Sequence, residues 1–468
     1  MEEYDLIAIG TGTAMSVVEA FLALNPDARV AVIDKDDPGG ICLTRGCIPS
    51  KILLYSAEVA REVKRSRKFG IEGKIESIDF GKVMGRMRRI VEEDVKMIES
   101  QLKRAKNIDY FRNAAEFVDK YKLRVGEEVV TSKRIVVGSG SKPLVPRIDG
   151  LDEAGYLTSD TLLKLDEMPE SLAIIGGGYV AMEYGNFFAQ LECDVKIVEM
   201  SDRILPAEEV EVSKFVERKM GELAEIYTGS RVFKVRREGG RKVLFFERGG
   251  RIEKTEVEEI LVAVGRAPNS DLLKPERGGI ETENGWIKVN EYLETSVPGV
   301  YALGDAIGKH MFKHVANYEA KVVIYNLVLG KRMKVDYRVI PHAVFTNPEV
   351  ASVGMKEEEA VERYGRENVF VGFFRLEDTG KGIAMDEEGF VKFVVKRDGE
   401  ILGCHVVGRN ASVLIQEVVL AMQHNLTIFD LAEAMHIHPA QSEVVMWAAS
   451  NLMSVDEYGR IKEEILNA

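Results

Sequence analysis

The sequence predicts an α/β protein with two Rossmann-like dinucleotide-binding units, closed by a C-terminal α+β domain. Three observations predict it. A strand, glycine turn, helix and strand follow one another at the N-terminus; the pattern recurs with its first glycine 166 residues later; and the pattern changes after about residue 335. Parallel sheets covered by helices arise from repeated βαβ units, whereas strands and helices in separate runs give an α+β layer.

The first unit starts at Tyr4–Gly10, where Leu6-Ile7-Ala8-Ile9 reads as a buried strand bounded by glycine. Gly10-Thr11-Gly12 opens a tight turn, residues 16–24 are helical, and residues 29–33 form a second strand ending on Asp34. An acid 24 residues after the first glycine suits dinucleotide binding. The glycines admit a pyrophosphate to the backbone, the helix N-terminus stabilises its charge, and the acid accepts a ribose hydroxyl. The third glycine of the fingerprint is replaced by Met15, which predicts looser helix–strand packing there.

Between Met84 and Lys106, Met87, Val91, Val95, Ile98 and Leu102 recur at helical spacing, predicting one long amphipathic helix. Strands follow over 129–137, then the glycine-rich turn Gly138-Ser139-Gly140-Ser141-Lys142-Pro143. The second unit runs from strand 173–175 through Gly176-Gly177-Gly178-Tyr179-Val180-Ala181, helix 182–191 and strand 195–198 to Glu199. Its Gly-x-Gly-x-x-Ala spacing and the acid 23 residues on match the fingerprint fully. A carboxylate at that strand end favours the free 2′-hydroxyl of NAD and repels the 2′-phosphate of NADP. Residues 261–269, with Gly265, close this unit, and residues 300–305 form a strand ending in Gly304-Asp305. In the last part, 391–395 and 402–407 read as strands and 413–423 as a helix, before His436-Ile437-His438-Pro439-Ala440-Gln441-Ser442-Glu443.

A chain of 468 residues exceeds one hydrophobic core. With 46% hydrophobic and 30% charged residues the composition is that of a soluble globular protein. No apolar run approaches the ~20 residues of a membrane span. The first residues lead straight into a strand, so a cytoplasmic protein without a signal peptide is expected. A net charge of −13 argues against nucleic acid as a partner.

Two of the four cysteines, Cys42 and Cys47, share the stretch Gly39-Gly40-Ile41-Cys42-Leu43-Thr44-Arg45-Gly46-Cys47-Ile48-Pro49-Ser50-Lys51. Bridging them needs Cα atoms within about 7 Å, closer than a regular helix holds residues five apart. The loop must be tighter than a helix, and Gly46 gives it that freedom. Pro49 suits the first turn of a following helix. The competing readings are two unconnected thiols or a metal site, but a metal site usually has a second pair of ligands nearby. An accessible disulfide in a reducing compartment is usually catalytic. Cys193 and Cys404 lie in apolar surroundings and read as inert.

Taken in order, the cysteine stretch, both glycine turns, Gly304-Asp305 and His-Pro-x-x-Ser-Glu make the whole chain similar to the pyridine nucleotide–disulfide oxidoreductases of class I. Within that family it most resembles the dihydrolipoyl dehydrogenases. The resemblance implies a redox-active Cys42–Cys47 disulfide, with Cys47 facing a flavin and Cys42 exchanging with substrate. FAD would lie along Gly10, Gly12, Asp34, Lys51, Ser139, Gly140, Gly304 and Asp305. NAD would use Gly176, Gly178, Glu183, Glu199 and Gly265, with Lys51 and Glu183 paired beside the flavin. His438, from the other subunit of a homodimer and held by Glu443, would be the acid–base. An imidazole titrates near neutrality and can take a thiol proton, since the thiolate is the reactive species. His436 reads as structural, and the other five histidines as ordinary polar residues.

The expected division is 1–150 and 269–335 for FAD, 151–268 for NAD(P) and 336–468 for dimerisation. The implied reaction is dihydrolipoamide oxidation by NAD, with a lipoyl domain of a 2-oxoacid dehydrogenase or glycine cleavage complex as partner. Thr44, Ala440-Gln441 and Gly138-Ser139 depart from the usual pattern. Ala440 and the helix after Lys51 are also similar to reductases of low-molecular-weight thiol disulfides, such as mycothione reductase. The lack of a C-terminal cysteine pair argues against mercuric and large thioredoxin reductases, and the presence of both redox cysteines against soluble transhydrogenases.

Overall fold

The computed structural model describes residues 2–467. Its first sheet is parallel, in the order Val300–Ala302, Ile135–Val137, Leu6–Ile9, Val30–Ile33, Ile108–Phe111. Leu6–Ile9 and Val30–Ile33 are buried throughout, as continuous apolar strands of a sheet covered on both faces must be. The strand Val300–Ala302 returns to this sheet after the whole second unit has been built.

The second sheet is also parallel, in the order Glu225–Tyr227, Asp194–Val198, Ser171–Ile175, Glu259–Val262. Beside it lies an antiparallel meander, Ser230–Glu238, Arg241–Arg248 and Arg251–Val257, which the sequence reading did not anticipate. Its two turns, Gly239-Gly240 and Gly249-Gly250, have positive φ at both glycines, the geometry of tight hairpins.

The third sheet has six antiparallel strands, ordered Pro341–Val344, Val350–Gly354, Ile401–Val407, Phe390–Lys396, Val369–Arg375, Leu452–Ser454. Helices Ala411–Gln423 and Glu443–Ser450 pack on it through Val418, Ile415, Val445 and Ala448.

The long helix spans Phe80–Arg104, capped by the Asp79 side chain on the Lys82 N–H at 2.9 Å. It buries Met84, Met87 and Val91 on one face. Residues 129–137 form two strands in different sheets, Glu128–Thr131 and Ile135–Val137. The chain turns between them at Ser132, whose hydroxyl accepts the Arg134 N–H at 3.0 Å.

One buried ion cluster joins the second unit to the third sheet. Lys392 is fully buried on strand Phe390–Lys396, with Nζ 2.9 Å from Glu209, 2.7 Å from Glu357 and in contact with Glu211. Among the described residues, no helix is long and apolar enough to cross a membrane.

Candidate active site

The cysteine stretch folds as two helical pieces meeting at a sharp break. Gly39 and Gly40 have φ of +115° and +71°, which L side chains rarely adopt. A Cβ on Gly40 would lie 2.6 Å from Gly12 Cα, so this stretch touches the first glycine turn backbone to backbone. Cys42 sits on the short turn Gly40–Thr44, where the Thr44 hydroxyl donates to the Gly40 carbonyl at 2.9 Å. At Gly46, a Cβ would come within 2.9 Å of the Ile41 carbonyl. Gly46 is needed for that close approach. Cys47 then opens the helix Cys47–Arg65. Arg45 anchors the break through Asp36 at 2.6 Å and Asp160 at 3.2 Å.

Both cysteines are free thiols and line one cavity. The Cys47 thiol is pulled down to about 6, first by a hydrogen bond from the Cys42 thiol; burial opposes this, while the Lys51 charge and a backbone N–H help. Cys42, as the donor, is pushed far up, with burial adding to the effect and the charge of Lys313 opposing it. Both shifts favour placing the negative charge of the reduced pair on Cys47. Lys51 Nζ is 2.6 Å from Glu183 Oε2 and 4.4 Å from the Phe345 ring centroid. The Phe345 N–H donates to Glu183 Oε1 at 3.1 Å.

The cavity has a volume of about 960 Å³. Gly10, Gly12, Asp34, Ser139, Gly140, Gly304 and Asp305 line it, as do Lys51 and Glu183. Asp34 Oδ2 accepts the Thr11 N–H at 2.8 Å and the Thr11 hydroxyl at 2.6 Å, closing the glycine turn against the strand end. Asp305 accepts the Ser141 hydroxyl at 2.5 Å, and Arg266 donates to that hydroxyl and to the Ser141 carbonyl. Arg266 was not singled out from sequence, although its place directly after Gly265 was the available signal. Met15 packs at the edge of the core, and the tightest approach falls elsewhere: a Cβ on Gly10 would lie 2.2 Å from the Gly138 carbonyl.

In the second glycine turn, a Cβ on Gly176 would lie 2.4 Å from the Ala263 carbonyl, while Gly178 faces open space before helix Tyr179–Gln190. Glu199 accepts the Gly177 N–H at 2.5 Å and the Ser201 N–H at 2.6 Å. Gly176, Gly178, Glu199 and Gly265 do not line the large cavity, whereas Glu183 does. Glu183 is thus placed with Lys51 and apart from the other four residues grouped with it from sequence.

His438 Nδ1 is 2.8 Å from Glu443 Oε1, and Glu443 Oε2 accepts the Ala440 N–H at 3.1 Å. Its bond to His438 is the chief cause holding the Glu443 carboxyl below the usual range. The His438 side chain is 75% exposed, and neither residue lines the cavity. His436, by contrast, is tied to the Ala434 carbonyl at 2.9 Å and Glu417 at 3.0 Å. Two of the histidines read as ordinary polar residues are cavity residues instead. Strand Pro341–Val344 packs along the cavity, so His342 faces it, and His314 Nε2 meets the Pro341 carbonyl at 2.7 Å.

Comparison with known proteins agrees with this geometry. Residues 4–369 match the profile described as pyridine nucleotide-disulphide oxidoreductase, and residues 340–449 match its dimerisation domain. The latter match supports pairing of two copies. The chain is 34% identical to mycothione reductase of Mycobacterium tuberculosis (strain ATCC 25618 / H37Rv), covering 95% of this chain and 98% of that protein. It is also 34% identical to a dihydrolipoyl dehydrogenase of Bacillus subtilis (strain 168), covering 94% and 96%. Among solved structures, the HOCl-induced flavoprotein disulfide reductase RclA from Escherichia coli superposes with a TM-score of 0.85 at 26% identity, covering 96% and 99%. Members of this group use FAD and NAD(P)H. The chain belongs to the pyridine nucleotide-disulphide oxidoreductase family.

Proposed function

We propose that the protein is a homodimeric dihydrolipoyl dehydrogenase-like enzyme of the cytoplasm, oxidising a dihydrolipoyl group with NAD through FAD and the Cys42–Cys47 pair. In this reading residues 1–150 and 269–335 hold FAD, 151–268 hold NAD, and 336–468 pair the subunits. The substrate is a lipoyl domain of a 2-oxoacid dehydrogenase or glycine cleavage complex, or free dihydrolipoamide.

The residues lining the cavity fit FAD. Gly12 and Gly40 bring two stretches of backbone together on its wall, and Asp34, Cys47 and Lys51 add a carboxylate, a thiol and an ammonium to the same cavity. When bound, FAD supplies two-electron transfer between the thiols and the nicotinamide.

The protein's own groups handle the thiol chemistry. His438 of a second copy takes the proton of one substrate thiol, and Glu443 stabilises the resulting imidazolium. The substrate thiolate attacks Cys42 Sγ; the new S–S bond forms as the Cys42–Cys47 bond breaks, and Cys47 leaves as thiolate. His438 then gives its proton to the departing Cys42 sulfur and takes that of the second substrate thiol, whose sulfur attacks the substrate sulfur of the mixed disulfide; oxidised substrate leaves, with one proton on Cys42 and one on His438. The surplus negative charge remains on Cys47, where Lys51 and the Cys42 thiol stabilise it.

The observation that carries the choice of NAD is the Glu199 carboxylate at the end of strand Asp194–Val198, beside the second glycine turn. A second reading, an NAD(P)H-dependent reductase of a low-molecular-weight thiol disulfide, is favoured by Ala440-Gln441 and by equal identity to mycothione reductase. An anaerobic panel separates them: dihydrolipoamide with NAD against glutathione, coenzyme A and mycothiol disulfides with NADH or NADPH. The first reading expects kcat/KM highest for dihydrolipoamide; preference for one of the disulfides overturns it.

A further inference from the structure

Tyr179 and Val180 open the helix after the Gly176–Gly178 turn, and with Glu183 they carry it into the large cavity. A nicotinamide whose diphosphate rests on that turn enters the cavity here, a placement that rests on the function proposed above. Three rings from three segments stack at this end. Tyr179 and His342 lie 5.6 Å apart at 18°, and Phe312 lies 5.7 Å from His342 at 5° and 6.2 Å from Tyr179 at 22°. All three line the cavity.

One buried carboxylate organises two of them. Glu208 is 1% exposed; its Oε1 accepts the Tyr179 hydroxyl at 3.0 Å and lies 2.7 Å from His342 Nε2. Its Oε2 accepts the Ser352 hydroxyl at 2.7 Å. Burying a carboxylate is costly unless several donors satisfy it, so losing any of these bonds strains the whole arrangement. Glu208 does not line the cavity. Whatever it does for the reaction passes through the two rings it holds.

We propose that Glu208 is a positioning residue for the nicotinamide: by fixing Tyr179 and His342 on one oxygen, it sets, with Phe312, a wall of near-parallel rings against which the nicotinamide ring is placed. Such a wall is assembled before binding, so it lowers the ordering cost of the incoming ring. Its loss weakens nucleotide binding more than thiol chemistry, which takes place at Cys42.

The test uses FAD-loaded enzyme and three variants: Glu208→Gln, Tyr179→Phe and His342→Phe. The last two keep a ring and delete only its bond to Glu208. The expected result is a KM for NADH (or NADPH, if the enzyme prefers it) raised about fivefold or more, as loss of a charge-assisted hydrogen bond predicts. In rapid mixing, the loss in reduction by the nucleotide should exceed the loss in reduction by dihydrolipoamide by the same factor. Melting midpoint and bound FAD report folding; if Glu208→Gln loses FAD, the two ring variants decide. Unchanged KM in both ring variants, or equal losses in both half-reactions, overturns the inference. A wild-type enzyme that oxidises neither NADH nor NADPH overturns the proposed function and this inference with it. An active wild type with unmoved KM in the variants overturns the inference alone.

Discussion

Lys51 Nζ stands 2.6 Å from Glu183 Oε2, joining the helix that begins at Cys47 to the helix that follows the second glycine turn. The two residues are 132 positions apart, so the charge beside the Cys42–Cys47 pair is set by contact between the two βαβ units. Lys51 pulls the Cys47 thiol down and Glu183 pushes it up. Cys47 stands at about 6 instead of an ordinary 9, so its thiolate is present above pH ~6 and is lost as pH falls through that value.

The charge-transfer absorbance of the two-electron-reduced enzyme should therefore rise through pH ~6. Lys51→Met should move the midpoint up by roughly one unit or more, and Glu183→Gln should move it down. Cys47→Ser should abolish the band, while Cys42→Ser should keep it without reductant. A band surviving in Cys47→Ser would exchange the roles of the two thiols.

The Glu199 carboxylate holds the Gly177 and Ser201 N–H groups, in addition to the nucleotide recognition proposed for it. Glu199→Ala should raise the KM for NAD and narrow the preference over NADP, by ~1.5–3 kcal/mol for a charged hydrogen bond. Steady-state kinetics with both nucleotides measures it. Equal or better use of NADP by the unmutated enzyme would contradict the NAD assignment.

Residues dominated by local chemistry were legible in the sequence. The glycine turns and the cysteine stretch lie within short segments, where spacing limits what can meet; the Glu443 partner of His438 was implied by the family resemblance and stands 2.8 Å away. The wall made by Tyr179, Phe312 and His342 was not legible, because its rings come from segments far apart in the chain. The same holds for Arg266 on Ser141, 125 positions away. The meander over 230–257 was missed although its Gly-Gly turns were in view, since its strands carry many charged residues. Gly46 lets the loop tighten as its sequence position suggests, and the Ile41 carbonyl stands where a side chain would be.

The Lys392 cluster predicts a stability effect separate from catalysis. Lys392→Met would leave Glu209, Glu211 and Glu357 buried with only the partly exposed Lys462 beside the last two, a loss of about 3–5 kcal/mol and a clear drop in Tm. Despite burial, the charge of Lys392 helps hold the Glu209 carboxyl down to about 2 from an ordinary 4.5. Its contribution is therefore complete above pH ~4.5 and fades as pH falls towards 2. Acid unfolding of wild type and Lys392→Met should converge over that window. A variant as stable as wild type at pH 7 would contradict this account.

The His438–Glu443 pair predicts a graded loss. His438→Gln should cost about 10²–10⁴ in kcat, the range for a general acid–base group, and Glu443→Gln less. Measured kcat values within a few-fold of wild type for His438→Gln would remove it from the mechanism.

In the proposed dimer each site joins the Cys42–Cys47 pair of one chain to His438 of another. In one chain His438 faces solvent and does not line the cavity holding both cysteines. The direct measurement mixes Cys42→Ser chains with His438→Gln chains, each nearly inactive alone, by co-expression with different tags. Under random twofold pairing about half of the dimers are mixed, and each mixed dimer has one intact site. Activity should recover to about a quarter of wild type. If His438 served the cysteines of its own chain, every site would keep a lesion, and mixing would restore nothing.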